Sequence, residues 1–210
     1  MVALFIVLSI ILLLVILYII FHKRIFNSYI SNNYVKYYGR KTYKIARDFD
    51  YYLINQISLE NHDNTTVDID HLLFGNKFLY VISDYYFRGV LKAKEIDNSW
   101  IFKPNDKEEK PHYVDNLIMK SQTLTRELAN VTTLDEKLFI PIVVVNQDCL
   151  VEEYEHSEGN PFLVRINQLQ KLVETIENRN VAPLEERQVY FAVRDIARLN
   201  QNKRHIKKIK

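Results

Sequence analysis

Two aspartates, Asp68 and Asp70, stand two residues apart in a stretch where polar and apolar side chains alternate. Because successive side chains of a strand point to opposite faces, both carboxylates are expected on one face. Two acids on one strand can hold a divalent cation such as Mg²⁺, which prefers hard oxygen ligands. The alternative is that both aspartates cap a turn at the strand end, and the residues alone leave both interpretations open.

The neighbouring His71 alternates with Val67 and Ile69, which predicts a semi-buried, hydrogen-bonded histidine rather than a metal ligand. No histidine has a partner at zinc-ligand spacing, so the sequence predicts no zinc site. The single cysteine, Cys149, excludes an intrachain disulfide and has no evident base beside it, so we expect a small apolar filler.

Composition excludes several classes of protein. The chain has 210 residues, enough for one domain and an appendage, and its 28 basic and 26 acidic residues give a net charge of +2. This balance excludes a histone-like polycation and an acidic disordered tail. The glycines are too scattered for a dinucleotide or P-loop phosphate motif; they are Gly39, Gly75, Gly89 and Gly159.

The elements that must position these side chains follow from apolar periodicity. A helix is predicted over residues 35–57, because Ile45, Phe49, Leu53 and Ile57 recur every four residues. Further helices are predicted over 114–131, 167–177 and 183–200, and strands over 66–74, 78–82, 89–94, 99–103 and 139–145. This order predicts an α/β domain with a mixed central sheet flanked by helices.

The amino-terminal residues predict a membrane-spanning helix. Val2 to Phe21 is a run of 20 residues without a charge, long enough for a hydrocarbon core. A cleaved signal peptide is disfavoured because the start has no basic residue and the exit has no suitable small residues. A buried core helix is disfavoured because every face is apolar. Lys23 and Arg24 follow the run, so the positive-inside rule places the amino terminus outside and the domain in the cytoplasm.

These elements give four predicted segments. They are a transmembrane helix over 2–21, a juxtamembrane linker over 22–34, a main domain over 35–180 and a carboxyl-terminal helix with a basic tail over 181–210. The lipid bilayer is the partner expected for the first segment.

The order of motifs resembles the NERD (nuclease-related domain) family. In that family a "Q-I-D-H" strand leads into "G-v-f-V-I-E-x-K-x-x-x-G", followed by a tryptophan, an "N-P-x-x-Q" helix start and a "pVVvF" strand. The resemblance covers roughly residues 39–150. The matching pieces are Thr66–His71, Phe78–Ile82, Arg88–Leu91, Trp100, Asn116…Gln122 and Leu138–Val145.

The resemblance implies a restriction-endonuclease-like PD-(D/E)xK fold and Mg²⁺-dependent cleavage of phosphodiesters. Asp70 stands at the position of the family's first aspartate, and Gln122 is the second remnant of its site. The Glu-x-Lys pair would fall at residues 83 and 85, which are Ser83 and Tyr85. Asp84 is one residue out of phase, so it is expected on the opposite face of its strand.

The sequence therefore predicts a nuclease fold with a degenerate site that acts as a binding or scaffolding module. No cofactor is expected, and Asp70 with Asp68 would hold Mg²⁺ only if nuclease activity survives. The alternative is a weak metal-dependent nuclease acting on DNA or RNA, with a further carboxylate supplied from elsewhere, for example Asp48 or Asp50.

The basic tail, residues 203–210, has five basic residues and no acid. The rest of the chain has 23 basic and 26 acidic residues, which is a net charge of −3. Nucleic acid and anionic lipid are both possible partners of such a tail. The alternative is a solvated helix end whose cations suit the helix dipole. The basic residues concerned are Lys203, Arg204, Lys207, Lys208 and Lys210.

Overall fold

The computed structural model describes residues 2–60, 66–106, 108–132, 134–155, 162–202 and 206–207. Side chains of residues 2–9, 20, 22–27 and 206–207 lie outside this description. The chain divides into two units, residues 1–37 and residues 38–210, and each is described by itself.

The first unit is helical. It belongs to α1 (Val2–Asp48), in which the backbone leaves the helical conformation at Asn33, with φ −135° and ψ 25°. The Asn33 side-chain amide donates to the carbonyl of Tyr29 at 3.0 Å. The predicted linker over 22–34 is therefore helical except at Asn33.

The predicted membrane span is not supported by the structure. Among the residues whose side chains are described, no helix is both long enough and apolar enough to cross a membrane. The described side chains of the predicted span are those of residues 10–19 and Phe21, whereas a span takes about 20 residues. The side chains of residues 2–9 and 20 lie outside the described set.

In the second unit, the predicted helix over 35–57 is wrong in its second half. Helix α1 ends at Asp48, and β1 (Tyr52–Glu60) follows. Asp50 lies in the left-handed region with φ 57°, and the amide of Tyr51 donates to the carbonyl of Ala46 at 2.8 Å. A spacing of four residues is also twice the strand period, so the apolar stripe that favoured a helix fits one face of a strand equally well.

The remaining elements agree largely with the predicted order. Strands β2, β3 and β7 and helix α2 form the part that positions the site. In chain order the elements are β2 (Thr66–Phe74), β3 (Leu79–Tyr85), β4 (Gly89–Lys92), β5 (Ser99–Pro104), β6 (His112–Asp115), α2 (Leu117–Thr132), a short 3-10 helix (Glu136–Leu138), β7 (Phe139–Val145), β8 (Leu150–Glu152), β9 (Phe162–Arg165), α3 (Leu169–Glu177), α4 (Glu186–Leu199) and β10 (Ile206–Lys207).

The strands form two mixed sheets instead of the single predicted one. The six-stranded sheet has the order β10-β1-β2-β3-β7-β9, and the four-stranded sheet has the order β6-β5-β4-β8. Strand β5 pairs antiparallel with both β4 and β6, as short connections between consecutive strands allow. The fold is therefore a mixed α/β fold with flanking helices.

Helix α2 covers the central sheet at β7, β2 and β3. Every residue of β7 is buried, as its continuous apolar sequence predicts for a central strand. The carboxyl-terminal helix α4 packs against β1 and buries Ile196. Of the predicted basic tail, residues 203–205 and 208–210 lie outside the described residues, and the backbone of 206–207 pairs with Leu53 and Ile54 of β1.

Candidate active-site cleft

A cleft of about 800 Å³ is lined by one face of strands β2 and β3 and by helix α2. The strand wall carries Asp68 and Asp70 from β2 and Ser83 and Tyr85 from β3. The structure therefore brings together both aspartates and both positions of the predicted Glu-x-Lys pair. The two-residue alternation of the strands predicted this grouping.

Asp70 is attached to the neighbouring strand through its side chain. Its Oδ2 atom accepts a hydrogen bond from the backbone amide of Asp84 at 2.8 Å. Asp68 is exposed, whereas Asp70 is partly buried. The strand wall thus offers two carboxylates of different accessibility, followed by a serine hydroxyl and a phenol.

Asp84 lies on the opposite face of the same strands, as its phase predicts. Its Oδ2 atom lies 2.8 Å from Nε2 of His71, and Nδ1 of His71 lies 2.7 Å from Oδ1 of Asn55. The side chains of His71 and Asp84 are only 2% and 1% exposed. The prediction of a hydrogen-bonded histidine at position 71 is confirmed, and its burial is nearly complete.

Burial raises the pKa of Asp84 above its ordinary value, the contact with His71 offsets part of this rise, and the neighbouring Asp70 adds to it. Because Oδ1 of Asn55 can only accept, Nδ1 of His71 is the donor in that hydrogen bond. Within the described residues, the other carboxyl oxygen of Asp84 and the hydroxyl of Thr42 are buried without a hydrogen-bond partner.

The other sequence-predicted residues do not join Asp70. Gln122 lines a separate hollow of about 410 Å³ with Thr125 and Phe139. The "N-P-x-x-Q" spacing counted from Asn116 falls at Lys120, and Lys120 does line the cleft. Asp48 and Asp50, suggested as alternative carboxylates, are not among the cleft residues, and Asp48 Oδ1 pairs with Arg47 Nη2 at 2.7 Å.

Helix α2 and its approach add four residues that sequence reasoning missed. Lys120, Ser121 and Glu127 of α2 and Asp115 at the end of β6 all line the cleft. Lys120 and Glu127 are seven residues apart, which is two helical turns, so their shared face was present in the sequence as a periodic signal. The sequence prediction gave this helix its range and assigned no role to its polar residues.

Asn116 fixes the start of α2 and therefore the position of these side chains. Its Oδ1 atom accepts hydrogen bonds from the amides of Ile118 and Met119 at 3.0 and 3.1 Å, as in an N-cap. Its amide nitrogen donates to the carbonyls of Glu95 and Asp97 at 2.9 and 2.7 Å. Asn116 thus ties α2 to the loop before β5.

The donor set does not fit the Mg²⁺ that the family fold implies. Among the described residues, no group of three or more histidine, cysteine, aspartate or glutamate side chains is arranged to hold a metal ion. On the strand wall, Asp68 and Asp70 are accompanied by a hydroxyl and a phenol, those of Ser83 and Tyr85, at the two positions predicted for the Glu-x-Lys pair. The four carboxylates of the cleft are spread along its walls.

Comparison with known proteins identifies the family of the chain. The nuclease-related domain (NERD) family matches residues 31–146, more than half of the chain. The protein therefore belongs to the nuclease-related domain family, for which a restriction-endonuclease-like fold is general. The predicted resemblance is confirmed. No curated protein and no solved structure matches the chain.

Proposed function

We propose that this protein is a membrane-attached, nuclease-related module that binds a ligand in the cleft without cleaving phosphodiester bonds. The observation that carries the proposal is that the strand wall of the cleft presents Ser83 and Tyr85 beside Asp70. The resemblance to the family puts its glutamate and lysine at these two positions. A serine hydroxyl and a phenol supply neither the anionic ligand for a divalent cation nor the ammonium group that would stabilise developing charge. Binding of a ligand in the cleft requires neither a carboxylate at position 83 nor an ammonium group at position 85.

A metal-titrated nuclease assay tests this proposal. The full chain, purified in detergent, is incubated with Mg²⁺ or Mn²⁺ and with single- and double-stranded DNA and RNA. We expect no cleavage above the rate of the Asp70→Ala variant at any metal concentration. Metal-dependent cleavage that disappears in Asp70→Ala would refute the proposal.

A gain-of-function variant tests the same point in the other direction. Ser83→Glu with Tyr85→Lys places a carboxylate and an ammonium group on the cleft face, beside Asp70. We expect Mn²⁺ binding to appear in this variant and metal-dependent cleavage to rise above background. The matched control is Ser83→Gln with Tyr85→Met, which has similar side-chain volumes without the charges and should stay inactive.

A second candidate function is a metal-dependent nuclease with relocated groups. It is favoured by Asp115, Glu127 and Lys120, which line the same cleft as Asp70. In that case the wild-type chain would cleave nucleic acid, and Glu127→Gln or Lys120→Met would lower the rate by a factor of about 100, as for other groups that act in proton transfer or charge stabilisation.

The membrane part of the proposal rests on the sequence of residues 2–21 and on the basic residues that follow it. We expect the full chain to stay with membranes after a carbonate wash and a chain lacking residues 2–21 to be released, with the domain on the cytoplasmic side. The basic residues of 203–210 would add affinity for anionic lipid or nucleic acid. In a chain lacking residues 2–21, loss of liposome binding on deletion of 203–210 supports the lipid contact, and unchanged binding excludes it.

A further inference from the structure

The charges of the cleft are unbalanced. Asp68 and Asp70 lie on the strand wall, and Asp115 and Glu127 contribute two further carboxylates, whereas Lys120 is the only basic residue among the lining side chains described. With every group in its ordinary charge state, the net charge is −3. Such a cleft repels a phosphodiester chain and attracts a cation.

The carboxylates are distributed, which argues against a single small ion. They come from β2, from the end of β6 and from the middle of α2, around a volume of about 800 Å³. No three of them converge among the residues that the structure describes. Spaced negative charges are complementary to an extended ligand with spaced positive charges.

Ser121 supplies an independent sign of a ligand. It is 2% exposed and lines the cleft, yet its hydroxyl has no hydrogen-bond partner among the described residues. Hydroxyls inside helices ordinarily bond to a carbonyl of the preceding turn. In α2, Thr125 donates to the carbonyl of Ser121 at 2.8 Å and Thr132 to that of Leu128 at 2.7 Å. The hydroxyl of Ser121 does not follow this rule: it is buried in the wall of the cleft without a described partner.

Apolar side chains in the same cleft suit the methylene stems of such a ligand. Tyr85, Met119 and Leu124 lie among the carboxylates. Lysine and arginine side chains place their stems on apolar surface and their charged heads beside acids, and an aromatic face attracts the cation itself.

We propose that this cleft binds an extended ligand carrying several ammonium or guanidinium groups. The carboxylates of Asp68 and Asp70 pair with two of these groups, and Ser121 accepts a hydrogen bond from the ligand. The inference rests on the proposed function, in which the cleft binds without cleaving. A basic segment of a partner protein and a polyamine share this chemistry.

Binding to a hexalysine peptide and to spermine tests the inference. Each probe is titrated into the full chain in detergent without divalent metal, and affinity is measured by calorimetry. We expect both to bind, and we expect Asp68→Asn with Asp70→Asn to weaken binding at least about tenfold. The amide oxygen introduced by Asp70→Asn can still accept the hydrogen bond from the backbone amide of Asp84, so the variant keeps that contact. The control, Glu108→Gln with Glu109→Gln, removes the same charge from exposed residues outside the cleft and should change affinity less than about twofold.

Two further variants must move affinity in opposite directions. Ser121→Ala removes a hydroxyl that has no described partner, so folding is unaffected and binding weakens about fivefold. Lys120→Gln removes the positive charge and should strengthen binding about threefold. A tetralysine peptide with blocked ends carries four ammonium groups, as spermine does. Tighter binding of this peptide than of spermine identifies a protein segment as the ligand, and the reverse identifies a polyamine.

The inference is overturned if neither probe binds, or if the cleft and control variants bind alike. It is also overturned if a single-stranded oligonucleotide binds more tightly and loses affinity in Lys120→Gln. The nuclease assay tests the proposed function separately. Metal-dependent cleavage would refute an inactive site whether or not the cationic probes bind.

Discussion

The two faces of strands β2 and β3 differ in how their polar side chains are treated. On one face, Asp68, Asp70 and Tyr85 border an open cleft. On the other, His71 and Asp84 are almost completely buried and hydrogen-bonded to each other. Alternate residues of β2 and β3 therefore lie in different environments, one bordering the cleft and the other buried. The buried pair of His71 and Asp84 links β2 to β3, whereas the carboxylates of the other face border the cleft, where a ligand can reach them.

The largest effect is expected on the buried face. Asp84→Ala removes the partner of Nε2 of His71 and leaves a cavity, so the free energy of unfolding should fall by about 3 kcal/mol. Urea denaturation of the full chain measures this loss. An equal loss in the matched variant Asp68→Ala would break the distinction between the two faces.

Asn116 combines features of both faces, because it borders the cleft and yet is buried and makes four hydrogen bonds. Asn116→Ala removes the cap of α2 and leaves two carbonyls without a donor, which should cost about 2 kcal/mol. The same denaturation experiment measures it. Surface substitutions usually change the free energy of unfolding by less than about 0.5 kcal/mol. A cost within that range would show that the four hydrogen bonds of Asn116 do not stabilise the fold.

The raised pKa of Asp84 predicts a pH dependence on the buried face only. From the ordinary carboxyl pKa of 3.8 up to the raised value, the folded state keeps a proton that the unfolded state has lost. Stability from this group is therefore complete below pH 3.8 and declines as the pH rises, by at most about 1.4 kcal/mol per pH unit. Asp84→Asn, which imitates the protonated acid, should flatten the profile. An unchanged profile would contradict a neutral Asp84.

The smallest effect is expected on the open face. Asp68 is exposed, so Asp68→Asn should change the free energy of unfolding by less than about 0.5 kcal/mol. Thermal unfolding of the variant beside the wild type measures this difference. A larger destabilisation would mean that Asp68 holds structure together, and the ligand-binding interpretation of this face would lose its support.

Local periodicity predicted the strand-borne part of the site. The positions of Asp70, Ser83 and Asp84 on their faces follow from the two-residue alternation of strands, which does not depend on the rest of the fold. The segment after Asp48 was predicted wrongly, because a spacing of four apolar residues fits both a helix and a strand. Lys120 and Glu127 were missed because only long-range packing of α2 against the sheet brings them to Asp70.

We infer that too few anionic oxygens converge beside Asp70 to hold a divalent cation. This is tested by soaking crystals of the protein in Mn²⁺ and locating the ion by its anomalous scattering. We predict no occupied manganese site beside Asp70. A well-occupied ion bound there by several protein oxygens would refute this inference and restore a metal-dependent nuclease.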